Sequence, residues 1–147
     1  MAGLDSVSKE LQEISRGIHP AILSTGGLGP ALKTLARRST VPVNLDIAIE
    51  QRLPDAVEVA AYYVVAEALT NAAKHAQASR VTVSADAQQR KLRLSISDDG
   101  IGGADAGKGS GLIGLKDRVA VLGGQMHISS QPGRGTSVNV AIPLGGR

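Results

Sequence analysis

The sequence predicts an α+β domain: a two-layer α/β sandwich in which helices cover one face of a mixed, mostly antiparallel sheet, with a helical appendage at the N-terminus. Two observations carry this. Stretches around residues 43–49, 81–85, 92–96, 125–130 and 136–142 alternate apolar with polar or small residues, the period of a strand. Between them, the stretches from Pro54 to Ala72 and from Leu112 to Leu122 carry apolar residues at helical spacing.

The elements follow in order. Leu4, Val7, Leu11, Ile14 and Ile18 fall on the 4-3-4-3 spacing of a two-stranded coiled-coil seam. A single helix of that length is marginal in water, so it must pack on the domain or on a partner helix. Gly17 and Pro20 punctuate it, Ser24 to Gly29 reads as a loop, and Leu28, Ala31, Leu32 and Leu35 form a short amphipathic helix ending near Arg38. Val43, Leu45, Ile47 and Ile49 then alternate as a strand. Pro54-Asp55 opens a long helix whose apolar stripe is Val57, Ala61, Val64, Val65, Ala68, Leu69 and Ala72. Two strands follow, through Val81, Val83 and Ala85 and through Leu92, Leu94 and Ile96. A glycine-rich loop leads into the second helix, Gly123-Gly124 stops it, and two strands complete the sheet. Turns at Gln88-Gln89 and at Pro132-Gly133-Arg134-Gly135 make their flanking strands antiparallel.

Composition narrows the function classes. The chain has 147 residues, 42% of them hydrophobic, which suits one domain with an ordinary core built from Val, Leu, Ile and Ala, since Tyr62 and Tyr63 are its only aromatics. The absence of cysteine removes disulfides and thiolate metal sites and fits a reducing, cytoplasmic setting. No apolar run is long enough to span a bilayer, and no signal-peptide layout opens the chain. The net charge of +3 is spread out, with no basic stripe alternating with aromatics, so direct nucleic-acid binding is not expected.

Three polar islands carry the chemistry. In the first, Glu67, Asn71 and Lys74 share one helix face at i, i+4 and i+7, bordering the apolar stripe. A carboxylate, an amide oxygen and an ammonium there suit Mg²⁺ and phosphate oxygens. Taken alone, the stripe reads better as a solvated polar face with a Glu–Lys pair. In the second, Asp98-Asp99-Gly100-Ile101-Gly102, Asp98 is in phase with Leu92, Leu94 and Ile96 and points to the core face, whereas Asp99 points away. An inward carboxylate needs a donor. The adenine amino group is one, with Gly100 and Gly102 admitting a ring close to the backbone. A turn in which Asp98 caps a nearby amide is the other reading. In the third, Gly109, Gly111 and Gly114 match G-x-G-x-x-G, but no strand directly precedes them and no acid follows at the dinucleotide-fold distance, so that fold is rejected. What remains is either amides exposed at a helix start as an anion site, to which Lys108 and Arg118 could add charge, or, without the other islands, a plain glycine linker between strand and helix. His19, His75 and His127 are isolated, and no Ser/His/Asp set or metal cluster stands out.

Together, in this order, these islands resemble the catalytic ATP-binding (Bergerat-fold) domain of sensor histidine kinases, in the superfamily shared with gyrase, the MutL repair ATPase and heat-shock chaperone ATPases. The resemblance covers Pro42 to Leu144: Glu67–His75 is similar to the N box, Asp98–Gly102 to the G1 box, Gly109–Leu115 to the G2 box, and Gly133-Arg134-Gly135-Thr136 to the last glycine-threonine motif. The Lys74-His75 ending, the short lid and Arg16–Pro20 look most like the nitrate-sensor/degradation-sensor class.

The resemblance implies the following roles. Asn71 binds Mg²⁺, Glu67 is a base or water-positioning group, and Lys74 approaches the phosphates. Asp98 reads the adenine amino group in a pocket shaped by Gly100 and Gly102. Gly109, Gly111 and Gly114 hinge the lid over the phosphates, Thr136 supports the adenine side, and Leu112 and His75 join the nucleotide set. It also implies ATP and Mg as cofactors, residues 1–38 as the end of a dimerisation hairpin with its linker, residues 39–147 as the catalytic domain, a homodimeric full-length kinase with a response regulator as its partner, and a cytoplasmic domain whose full-length protein is membrane-anchored in some arrangements. The acceptor of that class is a His followed by an acid on an upstream helix. No such pair occurs here and His19-Pro20 does not replace it, so the acceptor histidine is expected outside this chain. A serine kinase of the anti-sigma type is the alternative within the fold. A conformational ATPase fits less well with the short lid between Gly103 and Lys108, and an inactive binding module fits less well with the intact boxes.

Overall fold

The computed structural model describes residues 23, 26–74, 78–100, 111–130, 133 and 135–144. Helix α1 (Leu28–Arg38) leads to strand β1 (Val43–Ala48), helix α2 (Asp55–Lys74), strands β2 (Val81–Gln88) and β3 (Lys91–Asp98), helix α3 (Gly111–Val121), and strands β4 (Gln125–Ser130) and β5 (Thr136–Pro143). The strands lie in the order β1-β2-β3-β5-β4, with β1 parallel to β2 and every other pairing antiparallel. The long α2 crossover makes the parallel pair, because adjacent parallel strands need a connection of a dozen or more residues. This is the two-layer α+β architecture expected. The seam from Leu4 to Ile18 lies outside the described residues.

One turn differs from its expected position by a residue. Gln88 still pairs with Lys91, and the two-residue loop is Gln89-Arg90, both with positive φ (55° and 58°) rather than Gln88-Gln89. A two-residue hairpin loop matches the strand twist only when both central residues are left-handed. With neither Gly nor Asn available to mark that spot, the sequence did not locate it.

The core lies between sheet and helices. Leu92, Leu94 and Ile96 of β3, Val81 and Val83 of β2, and Val138, Val140 and Ile142 of β5 are all buried on the helical side. Helix α2 departs from the single apolar stripe: every residue from Val57 to Val65 is buried. Helices α1 and α3 and strands β2 and β3 all pack against α2, and the burial of consecutive residues makes its first half core on every side. Helix α1 joins this core through Leu28, Ala31 and Leu32.

Within that stretch sits a fully buried carboxylate, Glu58. Arg52 closes on it with Nη2 2.9 Å from Oε1 and Nε 3.2 Å from Oε2, and the Leu53 amide donates to Oε2 at 3.3 Å. Gly27, which precedes α1, packs on this pair with φ +84°; a Cβ there would lie 2.7 Å from Arg52 Cδ. The knot thereby ties the entrance of α1, the β1–α2 loop and the first turn of α2. Removing one partner of such a pair orphans a buried charge. Arg52→Ala is therefore expected to lower the melting temperature by on the order of 10 °C. Glu58→Gln, which keeps an acceptor and leaves half-exposed Arg52 free to rehydrate, should lower it less. A thermal melt of both variants checks the order; Arg52→Ala melting with the parent would show the pair to be dispensable.

Candidate functional site

The site is built where β3 ends. Asp98 is the last residue of β3 and is half-buried, on the same face as Ile96. Its Oδ1 accepts a 2.9 Å bond from the Gly100 amide and a 3.3 Å bond from the Thr136 amide. The first closes the tight turn that follows the strand. The second comes from 38 residues away, at the start of β5. Among the described residues no bond falls on Oδ2. The carboxylate is thus held by one oxygen and leaves the other as an acceptor. The turn-capping reading of Asp98 is thus seen in the structure, and its second oxygen is placed where it could accept from another donor.

Gly135 makes this junction possible. Its φ is +76°, and a Cβ there would stand 2.0 Å from the Asp98 carbonyl oxygen. No side chain fits, so only glycine lets β5 start against the end of β3. Thr136 supports Asp98 through its amide, while its hydroxyl is 2.9 Å from the Ser130 hydroxyl across the β4–β5 pair.

The first island lies on α2. Glu67 and Asn71 are half-buried at the border between buried Ala68, Leu69 and Ala72 and exposed Ala73, and Glu67 has a partner of its own. Lys74 is the last residue of the helix. The third island opens α3, which begins at Gly111 and includes Leu112; Gly114 is exposed with open space around its Cα. Helix α3 packs against α2, and α2 packs across β2 and β3, so the two helical islands share the layer that covers Asp98's face of the sheet. His75, Gly102, Gly109 and the lid between Gly103 and Lys108 lie outside the described residues.

Asp99 and Ser79 form a contact that the sequence did not disclose. The Asp99 carboxylate accepts bonds from the Ser79 hydroxyl and amide (2.8 Å for the amide) and from the Arg80 amide at 3.0 Å. The Ser79 hydroxyl, then the Arg80 and Ser79 amides, hold its pKa below the usual carboxylate range, so it stays ionised at neutral pH. The phase of the strand does place Asp99 opposite to Asp98, but nothing local names its partner. On the far face of the sheet a shallow groove of about 330 Å³ runs past Ser84, Asp86, Arg93, Ser95, His127 and Asn139, away from this site.

The sequence profile of the family described as "Histidine kinase-, DNA gyrase B-, and HSP90-like ATPase" matches residues 56–146. The chain belongs to that family. Its curated relatives include the sensor histidine kinase NarS of Mycobacterium tuberculosis, 35% identical over 98% of this chain and 36% of the relative. They also include the histidine-protein kinase/phosphatase DegS of Brevibacillus brevis, 33% identical over 97% of this chain and 42% of the relative. The chain therefore spans less than half the length of these relatives, and its residues 56–146 are the part that matches the ATPase family. Among solved structures, the blue-light activated histidine kinase of Erythrobacter litoralis EL346 shares the fold with a TM-score of 0.65 at 23% identity, over 97% of this chain and 50% of that one. The serine-kinase alternative is not favoured by these relatives. Among the described residues no helix is long and apolar enough to cross a membrane.

Proposed function

We propose that this chain presents Mg-ATP to a histidine on an upstream helix of a sensor histidine kinase, for relay to a response regulator. The observation that carries this is Asp98: one carboxylate oxygen is pinned by the Gly100 and Thr136 amides, leaving the other to accept from a ring amino group at a glycine-lined strand end. Guanine presents a carbonyl oxygen at that position, which a carboxylate repels.

Asn71 would hold the metal through its amide oxygen, with Glu67 beside it to orient water or take a proton and Lys74 to meet the phosphates. Among the described residues no group of three or more His, Asp or Glu is arranged to hold a cation. The donors present fit Mg²⁺, which keeps several waters and relies on substrate phosphates with one or two protein oxygens. The ion, when bound, neutralises charge on the phosphates. The amides at the start of α3 add fixed donors. The chain's own work is positioning and charge stabilisation: an acceptor imidazole nitrogen forms a bond to the γ-phosphorus as the bond to the β–γ bridging oxygen breaks, releasing ADP. Residues up to 38 would join the dimerisation helix to the domain, with α1 packed on α2 and β1, in a homodimeric, cytoplasm-facing protein.

Calorimetric titration with ATP and with GTP, each with and without Mg²⁺, tests the site. Saturable ATP binding that magnesium tightens, with no GTP response, is the expected result. In Asn71→Ala the magnesium enhancement should vanish; its survival would place the metal elsewhere, and no ATP binding by the parent chain would overturn the reading.

A further inference from the structure

We infer that Asp99 is a positioning residue of the nucleotide site, setting where α2 delivers Asn71 and Lys74 relative to Asp98. The inference rests on the nucleotide reading above and adds to it a residue that touches neither base nor metal.

The argument starts from connectivity. Asp98 stands at the end of β3, whereas Asn71 and Lys74 stand at the end of α2, and the chain leaves α2 through residues 75–80 before entering β2 at Val81. The spacing between the adenine side and the phosphate side of the site therefore depends on how that exit segment is held to the end of β3. Backbone pairing gives limited help there. The ladder ends at Val81 opposite Asp98, and beyond it the Asp99 amide donates to the Arg80 carbonyl oxygen at a long 3.4 Å.

The Asp99 side chain supplies the remaining tie. One oxygen takes both the Ser79 amide (2.8 Å) and the Arg80 amide (3.0 Å), and the other takes the Ser79 hydroxyl. On the α2 side the same exit is closed by the Ala78 amide donating to the Ala72 carbonyl oxygen at 3.3 Å. Ala72 directly follows Asn71. A continuous run of short-range bonds thus links Asn71's turn of helix to the residue next to Asp98. A carboxylate accepting from several amides is a strong, charge-assisted anchor even at an exposed position.

The consequence is a separation of effects. Loosening Asp99 frees the exit of α2 but leaves Asp98 bonded to Gly100 and Thr136, so adenine recognition should persist while the phosphate and metal contribution weakens. In Asp99→Ala, affinity for Mg-ATP should fall about tenfold, the size of one lost charged hydrogen bond, while affinity for adenosine stays within about twofold. Asp99→Asn keeps an oxygen for the two amides and should restore Mg-ATP affinity to within about threefold of the parent. Ser79→Ala, which deletes only the hydroxyl donor, should move Mg-ATP affinity in the same direction by about threefold and serves if Asp99→Ala does not fold. Calorimetry with Mg-ATP and a proton NMR titration with adenosine read these values on the whole chain, with a melt for each variant. Equal loss of both ligands, or a lowered melting temperature with both affinities unchanged, would show Asp99 to be only a structural cap and overturn the inference. A parent chain that binds neither ligand would instead defeat the nucleotide reading.

Discussion

Asp98→Asn is expected to weaken ATP binding by roughly a hundredfold, the upper range for a hydrogen bond to a charged group, while the fold survives. The asparagine oxygen can still accept from the Gly100 and Thr136 amides, so the junction of β3 and β5 keeps its bonds. Its NH₂ group takes the place of the second carboxylate oxygen and meets the adenine amino group donor to donor. Two donors facing each other repel, and no water is needed to explain the loss. The same change removes the repulsion against guanine's carbonyl oxygen, so the preference for ATP over GTP should narrow or reverse. Asp98→Ala is a harsher test, because it also orphans both amides and should cost stability as well as binding. The measurement is a paired ATP and GTP titration of Asp98→Asn beside a thermal melt. A variant that melts near the parent yet binds ATP unchanged would falsify the pocket assignment.

Gly135→Ala should be the most damaging single-methyl change near the site. The added carbon would sit 2.0 Å from the Asp98 carbonyl oxygen, a main-chain atom that cannot swing aside, and the residue would also be confined to φ +76°. Relief requires parting β5 from the end of β3, which breaks the Thr136–Asp98 bond and removes support from the carboxylate. Gly133 is the control. Its φ is +79°, but a Cβ there meets nothing within 4 Å. Gly133→Ala therefore carries only the left-handed penalty, about 1–2 kcal/mol, whereas Gly135→Ala should exceed it clearly, by at least ~2 kcal/mol, and lose ATP affinity too. Chemical denaturation of the two variants side by side decides this. Equal losses would mean that the strand end yields easily and that the glycine is there for its backbone angle alone.

These expectations show how unevenly the molecule can be read from its residues. Asp98's face of the sheet followed from its phase with Leu92, Leu94 and Ile96, and the helix face shared by Glu67 and Asn71 followed from their spacing. The motif Gly133 to Thr136 was recognisable only by resemblance. Why Gly135 must be glycine became visible only with Asp98's carbonyl oxygen beside it. Glu58 shows the same limit more sharply. On a stripe drawn from helical spacing it falls off the apolar face, yet it is fully buried, closed over by Arg52, Leu53 and Gly27 from segments before α2. Its partner, Arg52, lies six residues earlier in a loop, where no period applies.

What the sequence determined by itself is therefore local: which segments become strands or helices, which side of each strand faces inward, and which residue types are presented in what order along the chain. These depend on backbone periods of two and 3.6, which a sequence carries directly. The tertiary structure decided everything that joins distant segments: β1 running parallel to β2, Thr136 bonding to Asp98, and Asp99 clasping Ser79 and Arg80. Those pairings are set by sheet register and by the way helices pack across the sheet. Many chains with the same periodicity could satisfy their local preferences without them, and the register is selected only when the whole core closes.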